Sequence, residues 1–115
     1  MTYGIIVQLP VSVAFGTDQE FDLRVQLESD LTRALAAARA GDCIGGGIDT
    51  SHLNLHFDGI TDPPSALSLL KQVLAAAGQL NRAVIILETP SMTDPDERDQ
   101  QVLWPASRAG KVSAV

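Results

Sequence analysis

Lysine and arginine are missing from one long stretch of this chain. Between Ala40 and Leu70 there are four acids (Asp42, Asp49, Asp58, Asp62), two histidines and no basic side chain. Over the full 115 residues, 8 bases stand against 14 acids, a formal charge of −6. A surface of that sign repels backbone phosphates, which disfavours nucleic-acid binding. It attracts a basic protein partner instead, and it favours solubility whether or not a partner exists. Cysteine is almost absent too. A single Cys43 excludes an internal disulfide and fits a reducing compartment. Its position beside Asp42, in an apolar context, disfavours a thiolate and predicts a packing role. No apolar run approaches the ~20 residues of a membrane span. The opening MTYGIIVQLP lacks the basic n-region of a secretory signal. These absences lead us to expect a cytoplasmic protein with no membrane contact.

What is present reads as a globular body. Hydrophobic residues make up 45% and charged residues 19% of the chain, too apolar a balance for disorder. A chain of this length fits one domain burying roughly 65% of its unfolded surface. We expect that domain to run over residues 1–104, with 105–115 (PASRAGKVSAV) a disordered tail.

The pivotal stretch is IDTSHLNLHFDG, residues 48–59. From Ser51 to Asp58 it alternates, placing Leu53, Leu55 and Phe57 on one face of a strand and His52, Asn54, His56 and Asp58 on the other. Upstream, Tyr3–Leu9 is a run of strand formers stopped by Pro10, apolar enough for a central strand. Thr17-Asp18-Gln19-Glu20 matches a capping box opening a helix. Its stripe is Leu23, Leu27, Leu31, Ala34 and Ala38, widened by Phe21, Val25 and Leu35. Gly41 is the expected left-handed terminus of that helix. Cys43–Gly47 (CIGGG) is weak by composition, and we assign it as a short or bulged edge strand. Asp62-Pro63-Pro64-Ser65 begins a second helix, with Leu67, Leu70, Val73, Leu74 and Ala77 inward and Gly78 at its end. Ala83–Leu87 is a further strand, apolar on both faces. Arg98–Trp104 fits an edge strand; a short helix capped at Asp94 fits nearly as well.

The order strand, helix, strand, strand, helix, strand predicts an α+β, ferredoxin-like βαββαβ plan. It implies a four-stranded antiparallel sheet with two helices on one face, and a possible extra C-terminal edge strand. The opening YGIIVQLP, the FGT before an acidic leucine-rich helix, the glycine-rich hairpin, the HFDG strand end and the prolines before the second helix resemble a group of small uncharacterised bacterial ferredoxin-like proteins. That resemblance covers roughly residues 3 to 104. It implies the ferredoxin-like plan and carries no functional residue over. Hairpin positions that are acidic or aromatic in that group are Ile44 and Gly45–Gly47 here.

In this plan the sheet face opposite the helices shows Ile6, Gln8, His52, Asn54, His56, and either Val84 and Ile86 or Ile85. Half apolar and uncovered, such a face is expected to associate with a second copy, a partner or a ligand. Catalytic and metal readings fare worse. His52 and His56 lie ~13 Å apart on a strand, too far for one metal at ~2.1 Å from each nitrogen; His56 with Asp58 is the nearer pair. Ser51 and His52, as strand neighbours, are expected to point to opposite faces and so not to pair as nucleophile and base beside Asp49. Gly45–Gly47 runs toward a strand and lacks the lysine of a phosphate loop. Trp104 is expected to seal one end of the core, with no basic residues around it.

The expected function is therefore a non-enzymatic protein-binding module without cofactor or metal. One form is a small acidic inhibitor or immunity-type protein neutralising a basic toxin such as a nuclease, through Asp49, His52, Asn54, His56, Asp58 and Asp62. The other is a homodimeric regulatory domain binding a small ligand at the open sheet face around Ile6, Gln8 and His56.

Overall fold

A computed structural model of the chain describes residues 2–90 and 98–105. In chain order its elements are β1 (Tyr3–Pro10), α1 (Asp18–Ala37), β2 (Asp42–Ile48), β3 (His52–Ile60), α2 (Pro63–Ala76), a 3-10 turn (Leu80–Arg82), β4 (Val84–Pro90) and β5 (Arg98–Trp104). The strands form one antiparallel sheet in the order β2-β3-β1-β4-β5. The architecture is α+β with two helices and is broadly ferredoxin-like. The sheet has five strands, however, not the expected four. Ile86 pairs with Val102 and Leu87 with Gln101, so β4 is an interior strand and β1 is the middle of the sheet.

Both helices lie on one face. Alternation in β1, β3 and β4 sends Ile5, Val7, Leu9, Leu53, Leu55, Phe57, Ile85 and Leu87 to that side. There they meet Leu27, Leu31 and Leu35 of α1 and Ala66, Leu70 and Leu74 of α2 in one buried cluster. Trp104 packs against this cluster from β5, donates its Nε1 hydrogen to Leu80 O at 3.0 Å, and closes one end of it. A base does accompany it, contrary to expectation: Lys71 Nζ lies 4.3 Å from the ring centroid.

The helix starts follow the sequence. Thr17 accepts from Glu20 N, and the Glu20 carboxylate accepts from Thr17 N and from both Ser12 N and Ser12 Oγ, which also ties down the β1–α1 loop. Those bonds hold the Glu20 carboxyl below its ordinary pKa. At α2, Gly78 (φ +72°) ends the helix as expected, with Gln79 N bonded to Leu74 O and Gly78 N to Ala75 O. The end of α1 differs. The left-handed residue is Arg39 (φ +53°), not Gly41, with Ala40 N bonded to Leu35 O and Arg39 N to Ala36 O. Gly41 has another reason to be glycine. A Cβ there would stand 2.3 Å from Ile60 Cδ1 and 3.0 Å from Asp58 O.

Two further expectations are corrected. Phe21 and Val25 do not widen the buried stripe of α1; they remain 52% and 46% exposed. The face opposite the helices is not an uncovered apolar surface either. Val84 and Ile86 lie on it, and Ile6, Ile86 and Val102 form a second buried cluster with Val84 packed against them. Ile6 is only 7% exposed. The addition of β5 explains part of this, since Val102 sits beside Ile86 in register. The helix alternative at Asp94 and the tail at 106–115 lie outside the described residues; from Arg98 to Trp104 the chain is strand. No helix among the described residues is long and apolar enough to cross a membrane.

Candidate functional site

The base-free acidic segment folds into the β2–β3 hairpin and the approach to α2, at one edge of the sheet. Its turn is built on Asp49. Oδ1 accepts from Ser51 N at 2.8 Å, His52 N at 2.7 Å and Ser51 Oγ at 3.2 Å, and Oδ2 accepts from Asn54 Nδ2 at 3.0 Å. A carboxylate can do this because it offers about four lone-pair sites to donors that would otherwise be orphaned by the tight turn. The backbone amides of Ser51 and His52 lead the side chains in lowering the Asp49 pKa to about 2, so its charge persists at any physiological pH. Asn54 passes the network on, its Oδ1 accepting from Gln8 Nε2 at 2.9 Å on neighbouring β1. The carbonyl of Asp49 accepts from Phe15 N at 3.0 Å, which docks the β1–α1 loop against the same turn.

Ser51 and His52 do meet, against expectation, with Oγ 2.8 Å from Nδ1. Strand alternation does not apply, because β3 begins at His52 and Ser51 belongs to the turn. The arrangement is still not that of an activated nucleophile. The Asp49 carboxylate is engaged by the Ser51 hydroxyl, the backbone of the turn and the Asn54 amide rather than by the imidazole. In a catalytic triad the acid orients the histidine, and the histidine's other nitrogen takes the hydroxyl proton. Here the hydroxyl bridges acid and ring and closes the turn.

Further along β3, His56 pairs with Gly45 and Asn54 with Gly47. Both glycines point their missing side chains to the same face, where a Cβ would meet nothing within 4 Å. They leave a floor of bare backbone beneath a shallow concavity of about 390 Å³, lined by Ile44, Asp49, Asn54 and His56 among others. The three glycines of the strand are not equivalent. Gly46 faces the helices, and a Cβ there would be 2.8 Å from both Asn54 O and Leu55 Cδ2. Gly45 has φ +152° at the bulge that skips Ile44. Gly47 has neither constraint. A bulge, a bend and the close approach of a ligand or another backbone are the usual reasons for a strand glycine, and Gly47 leaves room for the last.

The six residues expected to bind a partner are thus divided. Asp49, His52 and Asn54 cluster at the turn, and His56 flanks the concavity. Asp58 lies six residues from His52, about 20 Å along the strand, directly opposite Asp42 of β2. Asp62 is beyond the strand and caps α2, accepting from Ser65 Oγ at 2.8 Å and Ser65 N at 3.4 Å. Asp49 and Asp62 therefore hold structure as well as charge. Gln8 joins Asn54, whereas Ile6, expected on an open face, is buried. Among the described residues no group of three or more His, Cys, Asp or Glu side chains is placed to hold a metal ion.

Sequence reasoning missed Ile44, which is 66% exposed beside the glycines. The signal was there: in CIGGG it has no large neighbour to pack with. Comparison with family models, curated proteins and solved structures finds no match.

Proposed function

We propose that this chain is a non-enzymatic protein-binding domain of the inhibitor or immunity type, which captures a basic protein partner through the acidic β2–β3 hairpin. The observation that carries this reading is the charge distribution. Asp42, Asp49 and Asp58 are all delivered to a single hairpin at the sheet edge, within a segment, residues 40–70, that holds no lysine or arginine. Asp49 adds fixed charge, being held ionised by the turn. Charge complementarity of this kind acts mainly on the rate of encounter.

The same geometry decides which acids to change. Asp49→Lys would dismantle the turn and Asp62→Lys the α2 cap, so loss of binding in either would be ambiguous. Asp42→Asn with Asp58→Asn removes charge with little change of shape; Asp58 has an interaction of its own, so Asp42→Asn alone is measured beside the pair and the melting curves are compared with the wild type. The test is a tagged pull-down from the native organism's lysate at low and moderate salt, read by mass spectrometry, with that double variant as control. A basic protein retained at low salt, released by salt and poorly retained by the variant is the expected result. A partner that is itself acidic, or indifferent to both salt and variant, would sink this reading. Burial of Ile6, Ile86 and Val102 removes most of the apolar drive for a homodimer through the sheet face, so that alternative has less support.

A further inference from the structure

We infer that the partner is held by strand addition: an extended segment of alternating apolar and basic residues pairs with the outer edge of β2. This rests on the protein-binding reading above and names how the binding occurs. Among the described residues β2 has a neighbour on one side only, β3. Its other side offers the unpaired amides and carbonyls of an edge strand, the template used in β-augmentation. Natural sheets usually guard such an edge with lysine, proline, an inward charge or a bulge. From Cys43 to Ile48 this one has no charged residue and no proline; its one guard is the bulge at Ile44, beyond which Gly45–Ile48 run in regular register.

A second observation is independent of the first. Among the described residues, the exposed large hydrophobic side chains are Val13, Phe15, Phe21, Val25 and Ile44, at 46–67% exposure. All five belong to β2 or to the segments lying against it, and none to α2, β4 or β5. Phe15 N is bonded to Asp49 O, and a Cβ at Gly16 would be 3.2 Å from Ile48 Cδ1, which fixes the loop at the far end of β2. Along α1, Glu28 Oε1 lies 3.2 Å from where a Gly46 Cβ would be. Glu28 pairs with Arg24 at 3.0 Å, and the Arg24 guanidinium lies 5.1 Å from the Phe21 ring centroid. Phe21 and Val25 thus continue the surface outward from β2 on the helix side, while Ile44 and the glycine floor lie at the strand itself.

A strand beside β2 would present alternate side chains to these two sides. Apolar residues on one side would cover Phe21 and Val25. Residues on the other would lie along the acidic side between Asp42 and Asp49, where lysine or arginine is favoured. Bare Gly45 and Gly47 let the incoming backbone approach closely. A second copy would also offer an edge, but it brings another −6 of charge to the same place, so the occupant we commit to is a basic segment of a different protein.

The probe is a capped peptide of about nine residues alternating lysine and valine, the length of a strand, with a glutamate-for-lysine version as control. Binding to the full chain is titrated, and amide hydrogen exchange locates the footprint. We expect slower exchange across Ile44–Gly47 with the lysine peptide and no such protection with the glutamate one. Ile44→Gln with Phe21→Gln, both at exposed positions and neutral, should weaken binding by about tenfold, equivalent to ~1.4 kcal/mol, with the melting curve checked for retained folding. Binding without β2 protection, or unaffected by this neutral pair, overturns strand addition. If it is nonetheless weakened by Asp42→Asn/Asp58→Asn, the charge reading survives that failure. Insensitivity to the charge variant together with loss in the neutral pair means the reverse: the edge is used, but the charge is not. Protection of β2 in the peptide-free protein, rising with concentration, would replace the foreign strand by a second copy.

Discussion

Asp49 shows how one side chain can serve fold and surface together. Its carboxylate closes the β2–β3 turn through two backbone amides, a hydroxyl and a side-chain amide, and these contacts hold its pKa at about 2. A carboxyl depressed in the folded state contributes stability that is fully present above its unfolded pKa, about 3.9, and that is lost as pH falls toward its folded value. The turn should therefore loosen between about pH 4 and pH 2. The protection factors of the Ser51 and His52 amides, exchange taken relative to the intrinsic rate at each pH, should fall down that range in the wild type. In Asp49→Asn the protection factors should already be low at neutral pH and change little on acidification. The glycines allow an equally local test. Gly46→Ala forces a methyl against a backbone carbonyl and should destabilise by about 1–3 kcal/mol in urea melts. Gly47→Ala meets open space and should be neutral or stabilising by up to ~1 kcal/mol. Equal effects at the two positions would mean that Gly47, like Gly46, is kept for folding.

Among the helices and strands, most of what was legible came from local chemistry. The Thr17–Glu20 box, the Asp62-Pro63-Pro64 start and the Gly78 end each satisfy orphaned helix-terminal groups with nearby residues, so the sequence neighbourhood contains the whole cause. Where the cause is tertiary, sequence reasoning failed. Gly41 looked like a terminus, but Ile60 and Asp58 crowd it from β3, and Arg39 takes the left-handed position instead. A non-glycine residue there is held at a conformational cost of roughly 1–2 kcal/mol. Arg39→Gly should accordingly raise unfolding free energy by about 1 kcal/mol in chemical denaturation, and a loss of stability would mean that the Arg39 side chain contributes contacts of greater value. Ser51 failed for a related reason: the alternation rule is sound within β3, and Ser51 lies one residue outside it.

For the molecule as a whole, the sheet face opposite the helices carries the main lesson. Alternation correctly placed Ile6, Gln8, Asn54 and His56 on it, because period-2 patterning needs no tertiary knowledge; it left open whether Val84 and Ile86 or Ile85 joined them, and the structure puts Val84 and Ile86 there. Whether that face was open depended on β5 and on packing that no local pattern encodes, and the structure buries Ile6, Ile86 and Val102 there. Among the described residues the large exposed apolar side chains lie instead around β2, in and beside the acidic hairpin. Charge and exposed hydrophobic side chains thus fall on the same edge of the domain, and that coincidence supports a partner that is both basic and extended. The most direct test is the association rate of the recovered partner with wild type and with Asp42→Asn/Asp58→Asn, measured across a range of salt. Capture steered by the acidic hairpin should give fast association that falls steeply with ionic strength, and about tenfold slower association for the variant at low salt, with dissociation little changed. Equal association rates for the two proteins, flat in salt, would contradict it.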